Sequence, residues 1–183
     1  MRKLLILVIV CGCSMLCKAQ KGIYLDSTYA DGTKAIQTLY HTYTNLLDDP
    51  SVLVGLTEFS NKNSSHLQFN VQICRSYVLG AIPKNGRLLI KYDKDSVLEL
   101  RAVARCESKR IRNQYLLIAS YPISSSDILK LKKSVNKIRL ETILENITLD
   151  IDPRLSQEAI TSAERALINH NNKNGNDNFK DNF

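Results

Sequence analysis

Tyr121–Thr142 reads YPISSSDILKLKKSVNKIRLET. Three signals follow one another in it. Ser124 is a candidate N-cap, with Ser125 as its neighbour, and Asp127 stands three residues after Ser124. That is the spacing of a capping box with an acid at the positive end of the helix dipole. Ile128, Leu131 and Val135 then fall near one helical stripe, while Lys130, Lys132 and Lys133 lie off it or close to the C-terminal end. From Asn136 to Ile143 the period changes to two: Ile138, Leu140 and Thr142 oppose Lys137, Arg139 and Glu141. The stretch predicts a short capped helix followed by a half-buried strand. A helix with one apolar stripe needs a sheet to cover, and the residues on either side supply strands.

Upstream, Tyr115–Tyr121 is an apolar strand. Arg87–Tyr92 and Ser96–Val103 read as a hairpin around Asp93-Lys94-Asp95-Ser96, with Leu98, Leu100 and Ala102 on one face and Glu99 and Arg101 on the other. Val52–Phe59 and His66–Val78 read as a second hairpin around the polar loop Ser60–Ser65. In it Leu67, Phe69, Val71 and Ile73 alternate with Gln68, Asn70 and Gln72. The threonines and tyrosines of Thr33–Leu46 favour strand there too. Cys106–Asn113 reads as a charged link. Downstream, Ile147–Ile151 alternates again, and Asp152-Pro153 supplies an N-cap and first helical position. Leu155, Ile160, Ala163 and Leu167 form the stripe of the helix that follows.

These elements predict an α+β fold: a mainly antiparallel sheet of about seven or eight strands with two helices, near 124–134 and 153–170. The expected organisation is a signal peptide over 1–19, a flexible lead-in over 20–31, a single α+β domain over 32–170 and a disordered, Asn/Lys-rich tail over 171–183.

Met1–Gln20, MRKLLILVIVCGCSMLCKAQ, places two cations before an apolar run and small residues at the −3 and −1 positions of a cut after Ala19. This is the layout of a secretory signal peptide, and the run is short for a membrane span. Val10-Cys11-Gly12-Cys13 also resembles a lipobox, which would make Cys13 a lipidation site and the protein an envelope lipoprotein. The expected location is outside the cytoplasm: periplasm, outer envelope or medium. Of five cysteines only Cys74 and Cys106 would survive cleavage. In an oxidising compartment that pair is a disulfide candidate; Cys74 sits inside an expected strand, so a buried free thiol is the equal alternative.

Lys and Arg total 25 against 18 acids in 183 residues; without Arg2, Lys3 and Lys18 the balance is 22 to 18, a net charge near +4. That is a solubility statement rather than a nucleic-acid signature. The cations are nevertheless concentrated. Lys130, Lys132, Lys133, Lys137 and Arg139, preceded by Lys109, Arg110 and Arg112, are candidates for a patch that meets an anionic partner such as a surface glycan. The competing account is a solvated face interrupted by Asp127 and Glu141. Aromatic residues are not interleaved with these cations, which disfavours nucleic acid.

No nucleophile elbow, HExxH, Walker loop or dinucleotide fingerprint occurs. His41, His66 and His170 lack an acid or Cys at ligand spacing. The pairs Asp48-Asp49, Asp93/Asp95 and Asp150/Asp152 fall at expected turns or element ends, where Asp is favoured in any case. Sequence therefore predicts no catalytic residue, no metal ligand and no cofactor site.

The segments GRLLIKYDKDSVLELRAV (Gly86–Val103) and YLLIASYPISSSDILKLKKSVNKIRLET (Tyr115–Thr142), followed by a terminal helix, resemble the small exported, largely uncharacterised proteins of gut Bacteroidetes. The likeness covers Gly86–His170. It implies an α+β domain outside the cytoplasm and brings no catalytic residue with it. The functional expectation is an exported, non-enzymatic domain that binds a protein or a surface polymer, with membrane association only through a lipid anchor. The alternatives are a hydrolase whose residues converge only in three dimensions, and a structural envelope lipoprotein.

Overall fold

The computed structural model describes residues 22–44 and 50–180. The signal segment and Cys13 lie outside the described residues. In chain order the elements are β1 (Ile23–Thr28), β2 (Lys34–Thr38), β3 (His41–Thr42), β4 (Ser51–Ser60), β5 (Ser65–Arg75), β6 (Arg87–Tyr92), β7 (Ser96–Arg101), β8 (Lys109–Ile111), β9 (Gln114–Ile123), α1 (Ser125–Leu131), β10 (Val135–Glu141), β11 (Asn146–Asp150) and α2 (Pro153–Lys180). The strands form two antiparallel sheets. Seven build one with the order β1-β2-β4-β5-β9-β8, β3 also pairing with β4; four build the other with the order β11-β10-β6-β7.

The fold is α+β, as the alternation predicted. Its strands are divided between two sheets because the hairpin β6–β7 takes its next partner from β10 rather than from β5. The register of the large sheet then decides which side chains share a face. Leu56, Phe69 and Tyr121 stand side by side on β4, β5 and β9, as do Val54, Val71 and Ala119, and Val52, Ile73 and Leu117. All nine are buried, and they form the inner face. The inner face of the small sheet, with Leu88, Ile90, Ile138 and Leu140, joins them in one core cluster together with Ile128 and Leu131 of α1.

Helix α2 closes the remainder of the inner face, touching β1 to β4, α1 and β10. Its buried residues are Ser156, Ala159, Ile160, Ala163, Ala166, Leu167 and His170, which recur every third or fourth position as one helical stripe. The alanines let the helix approach closely. Gly22 shows how closely: a Cβ there would lie 2.8 Å from Cβ of Ala166, and its φ of +94° is itself a glycine conformation.

Three stretches differ from expectation. β1 occupies the stretch expected to be a flexible lead-in, because its backbone pairs with β2 and Ile23 is buried. β8 forms within the charged link, from a three-residue pairing with β9 that needs no apolar alternation. Helix α2 continues past His170 to Lys180, into the tail expected to be disordered. Extension of an existing helix adds one hydrogen bond for each residue fixed and avoids the cost of nucleation.

The cap on α1 forms as its spacing predicted. Ser124 Oγ accepts the backbone N–H of Asp127 at 3.1 Å, and the Asp127 carboxylate takes hydrogen bonds from Lys130 Nζ and Ser124 Oγ, both at 2.6 Å. Lys130 first, then Ser124, hold the Asp127 carboxyl below the usual carboxylate range. A carboxyl depressed in the folded state stabilises above its unfolded pKa, the ordinary 3.8 of an aspartate, and that stabilisation is lost as pH falls through the lower folded value. Asp127→Asn is therefore expected to cost about 0.5–1 kcal/mol at pH 7 and little in acid. Urea denaturation of both proteins at pH 7 and at pH 3 measures the difference; an equal cost at both would show that the charge contributes nothing.

Candidate functional site

With the inner face of the large sheet covered by α2 and the small sheet, its outer face is left without a covering layer among the described elements. On it Thr57 of β4 stands beside Gln68 of β5, Gly55 beside Asn70 and Ser120, and Leu53 beside Gln72 and Ile118. A cleft of about 580 Å³ lies on this face, within the usual size of ligand sites.

The floor of the cleft is a polar ladder across three central strands. Ser120 Oγ donates to Asn70 Oδ1 at 2.7 Å, and Asn70 Nδ2 donates to Thr57 Oγ1 at 2.7 Å. Asn70 and Thr57 are buried. Their bonding capacity is not exhausted: Asn70 has a second N–H, and Thr57, which accepts here, has its own proton to give. Gln37, Gln68 and Gln72 add amides to the lining. A Cβ at Gly55 would lie 3.3 Å from Thr38 Oγ1, a tight contact, and 3.6 Å from the Tyr40 ring, an ordinary one.

Tyrosines from the first strands make the flank. The pairing of β1 with β2 shifts register between Ile23 and Leu25, and the additional residue, Tyr24, lines the cleft together with Leu25. A bulge re-aims a side chain in this way. Tyr24 is 69% exposed and Tyr29 52%. Tyr40 lies deeper; burial pushes its phenol up despite a side-chain hydrogen bond with Gln37. Leu116 and Ile118 of β9 form the opposite flank. Among the described residues, none that lines the cleft is Asp, Glu, Lys, Arg or His.

The basic residues singled out from sequence are placed elsewhere. Lys130 pairs with Asp127, Lys132 with Glu164 on α2, and Lys137 with Asp150 across β10 and β11. Lys133 and Arg139 are exposed. Lys130, Lys132 and Lys133 belong to α1 or its C-terminal end, whereas Lys137 and Arg139 stand on the outer face of the small sheet. That face alternates in sign: Arg87 reaches Glu141 and Glu99, and Arg101 reaches Glu99.

Cys74 and Cys106 are both free thiols, so the disulfide expectation is corrected. Cys74 points to the outer side of β5, where Gln72 Nε2 lies 3.7 Å from its sulfur. Cys106 packs against the core, with its thiol 3.4 Å from the Ala104 carbonyl. The sheet separates the two.

The histidines have structural settings. His66 stacks on Phe59 with ring centroids 5.1 Å apart. His170 is buried, with Nε2 3.0 Å from Asp26 Oδ2, which ties α2 to β1. Desolvation pushes the half-buried His41 down. A second cleft, at the end of the large sheet, holds Glu58 with Ser65 and Asn171. There Ser65 Oγ donates to Glu58 at 2.8 Å and Asn171 Nδ2 donates to it at 2.9 Å, so the acid is engaged as an acceptor on both oxygens. Among the described residues no group of three or more His, Cys, Asp or Glu is placed to hold a metal ion, and no helix is long and apolar enough to cross a membrane.

Comparison with protein-family models, with curated proteins and with solved structures finds no significant match. What can be said of function rests on the cleft.

The tyrosine flank was missed in sequence. Its signal was the excess of Tyr over Phe, eight to four, with Tyr24, Tyr29 and Tyr40 near the N-terminal side. The run Gln68, Asn70, Gln72 was legible as a wet face, but nothing local marked it as a floor.

Proposed function

We propose that the protein is an exported, non-enzymatic binding domain that holds a surface polymer against the outer face of its seven-stranded sheet. The observation that carries this reading is the Ser120–Asn70–Thr57 ladder, with Asn70 and Thr57 buried, at the bottom of an open cleft. Burying polar groups has a cost that hydrogen bonding only offsets, and a sheet face serving structure alone is covered by apolar side chains or left as a flat solvated surface. A recessed floor with unused donors between two flanks is suited to a ligand. Export rests on the basic, apolar and small-residue order of Met1–Ala19.

Retention of labelled protein on bacterial cell-envelope preparations tests the face. Ile118 lines the cleft and is 43% exposed, so Ile118→Arg changes the cleft without opening the core. The expected result is lost retention for Ile118→Arg and unchanged retention for Arg139→Glu on the small sheet. Full retention by Ile118→Arg, with loss on Arg139→Glu, would move the site to the charged face.

A further inference from the structure

We infer that the ligand of this face is an uncharged carbohydrate chain, its sugar rings laid on the tyrosine flank and its hydroxyls read by the amide floor. This rests on the reading of the outer sheet face as the binding surface.

Charge narrows the choice first. With no ionised side chain among the described residues of the lining, a sulfate, phosphate or carboxylate would give up hydration there and gain no counter-charge from them. Hydrogen-bonding type narrows it next. Asn70 and Gln68 carry a donor and an acceptor on one planar group, and Thr57 retains a proton to donate. Adjacent hydroxyls of a sugar ring present the same donor–acceptor pairing to such a surface.

The backbone disfavours a peptide. An extended peptide is held mainly by main-chain bonds to an open sheet edge. Thr57 and Asn70 lie on β4 and β5, which have a paired strand on both sides there. β8 pairs with β9 only at Gln114–Leu116, and the Ser120 carbonyl accepts the N–H of Val103, so a peptide could extend the sheet only along the β9 edge and not across the floor. The flank completes the fit. The bulge presents Tyr24 and Tyr40 lies over Gly55. An aromatic face covers the apolar C–H side of a sugar ring while the phenol stays wet, and a tyrosine loses little rotamer freedom in doing so. From β2 to β9 the floor spans three strand spacings, about 14 Å, which matches a short oligosaccharide rather than a single sugar.

The test is an array of purified oligosaccharides, neutral, sulfated and uronic-acid-containing, probed with the full chain and followed by calorimetric titration of any binder. Expected are binders among the neutral members and a loss of about tenfold or more in affinity for Tyr24→Ala and for Gln68→Ala. Both positions are on the surface or half-buried, and an unchanged unfolding midpoint verifies the fold. Binding confined to acidic members would overturn the inference, as would neutral binding that neither substitution alters, or no binding to any member. In each of these cases retention on cell envelopes that Ile118→Arg abolishes would leave the binding face standing, and only its ligand would have been misassigned. Retention that Ile118→Arg leaves intact would remove the face itself.

Discussion

Phe69→Ala is expected to destabilise the protein by about 3–5 kcal/mol, the range for deleting a fully buried aromatic ring. Phe69 has no exposed surface. It stands between Leu56 and Tyr121 in the central rank of the inner face, and its ring centroid is 6.2 Å from that of Tyr43. Phe69 itself lies on β5, which is paired with β4 on one side and β9 on the other, so the space cannot close by local collapse. Truncation loses both the transfer energy of the ring and the contacts of the atoms around the void. Chemical denaturation measures the change, and Phe69→Leu should recover a large part of it. A cost below about 1 kcal/mol for the alanine variant would place it among ordinary surface substitutions and show that the core described here does not carry the fold.

Ser156→Ala is expected to cost about 1–3 kcal/mol although it removes a single oxygen. Ser156 is fully buried in the first turns of α2. Its hydroxyl accepts the N–H of Val135 at 3.1 Å and lies 2.9 Å from the carbonyl of Pro153 and 3.2 Å from that of Val135. Val135 opens β10, so one hydroxyl joins the start of the last helix to the start of a strand of the small sheet. Alanine would fill the same place and leave a buried N–H without its acceptor. Ser162→Ala, on the exposed side of the same helix, should be neutral or slightly stabilising because alanine has the higher helix propensity. Equal unfolding midpoints for the two variants would show that the Ser156 hydroxyl does not join the layers.

The contrast between these two serines shows where local pattern stops being informative. Leu155, Ile160, Ala163 and Leu167 were legible as an apolar stripe, but Ser156 lies beside that stripe as a polar residue and nothing nearby marks it as buried. Its partner is 21 residues upstream. The cleft has the same character. Gln68, Asn70 and Gln72 alternate with Leu67, Phe69, Val71 and Ile73, so which of them face away from the core was evident. Asn70 becomes a floor residue only because Thr57 and Ser120, 13 and 50 residues away, arrive beside it in register. In the other direction, Lys130, Lys132 and Lys137 cluster in sequence, but Asp127, Glu164 and Asp150 meet them one by one.

Sequence by itself determined the kind of element nearly everywhere, the side of each strand that turns inward, the cap of α1 and the α+β class. These follow from periods of 2 and 3.6 and from side chains that bond their own backbone, all of which act within a few residues. Tertiary structure alone decided that the strands divide into two sheets, that Cys74 and Cys106 lie on opposite sides of one of them, and that a cleft without charged side chains among the described residues is left open between tyrosines and β9. Those outcomes depend on which strand pairs with which and on which layer covers which face. Such pairings join residues far apart in the chain, and no local period records them.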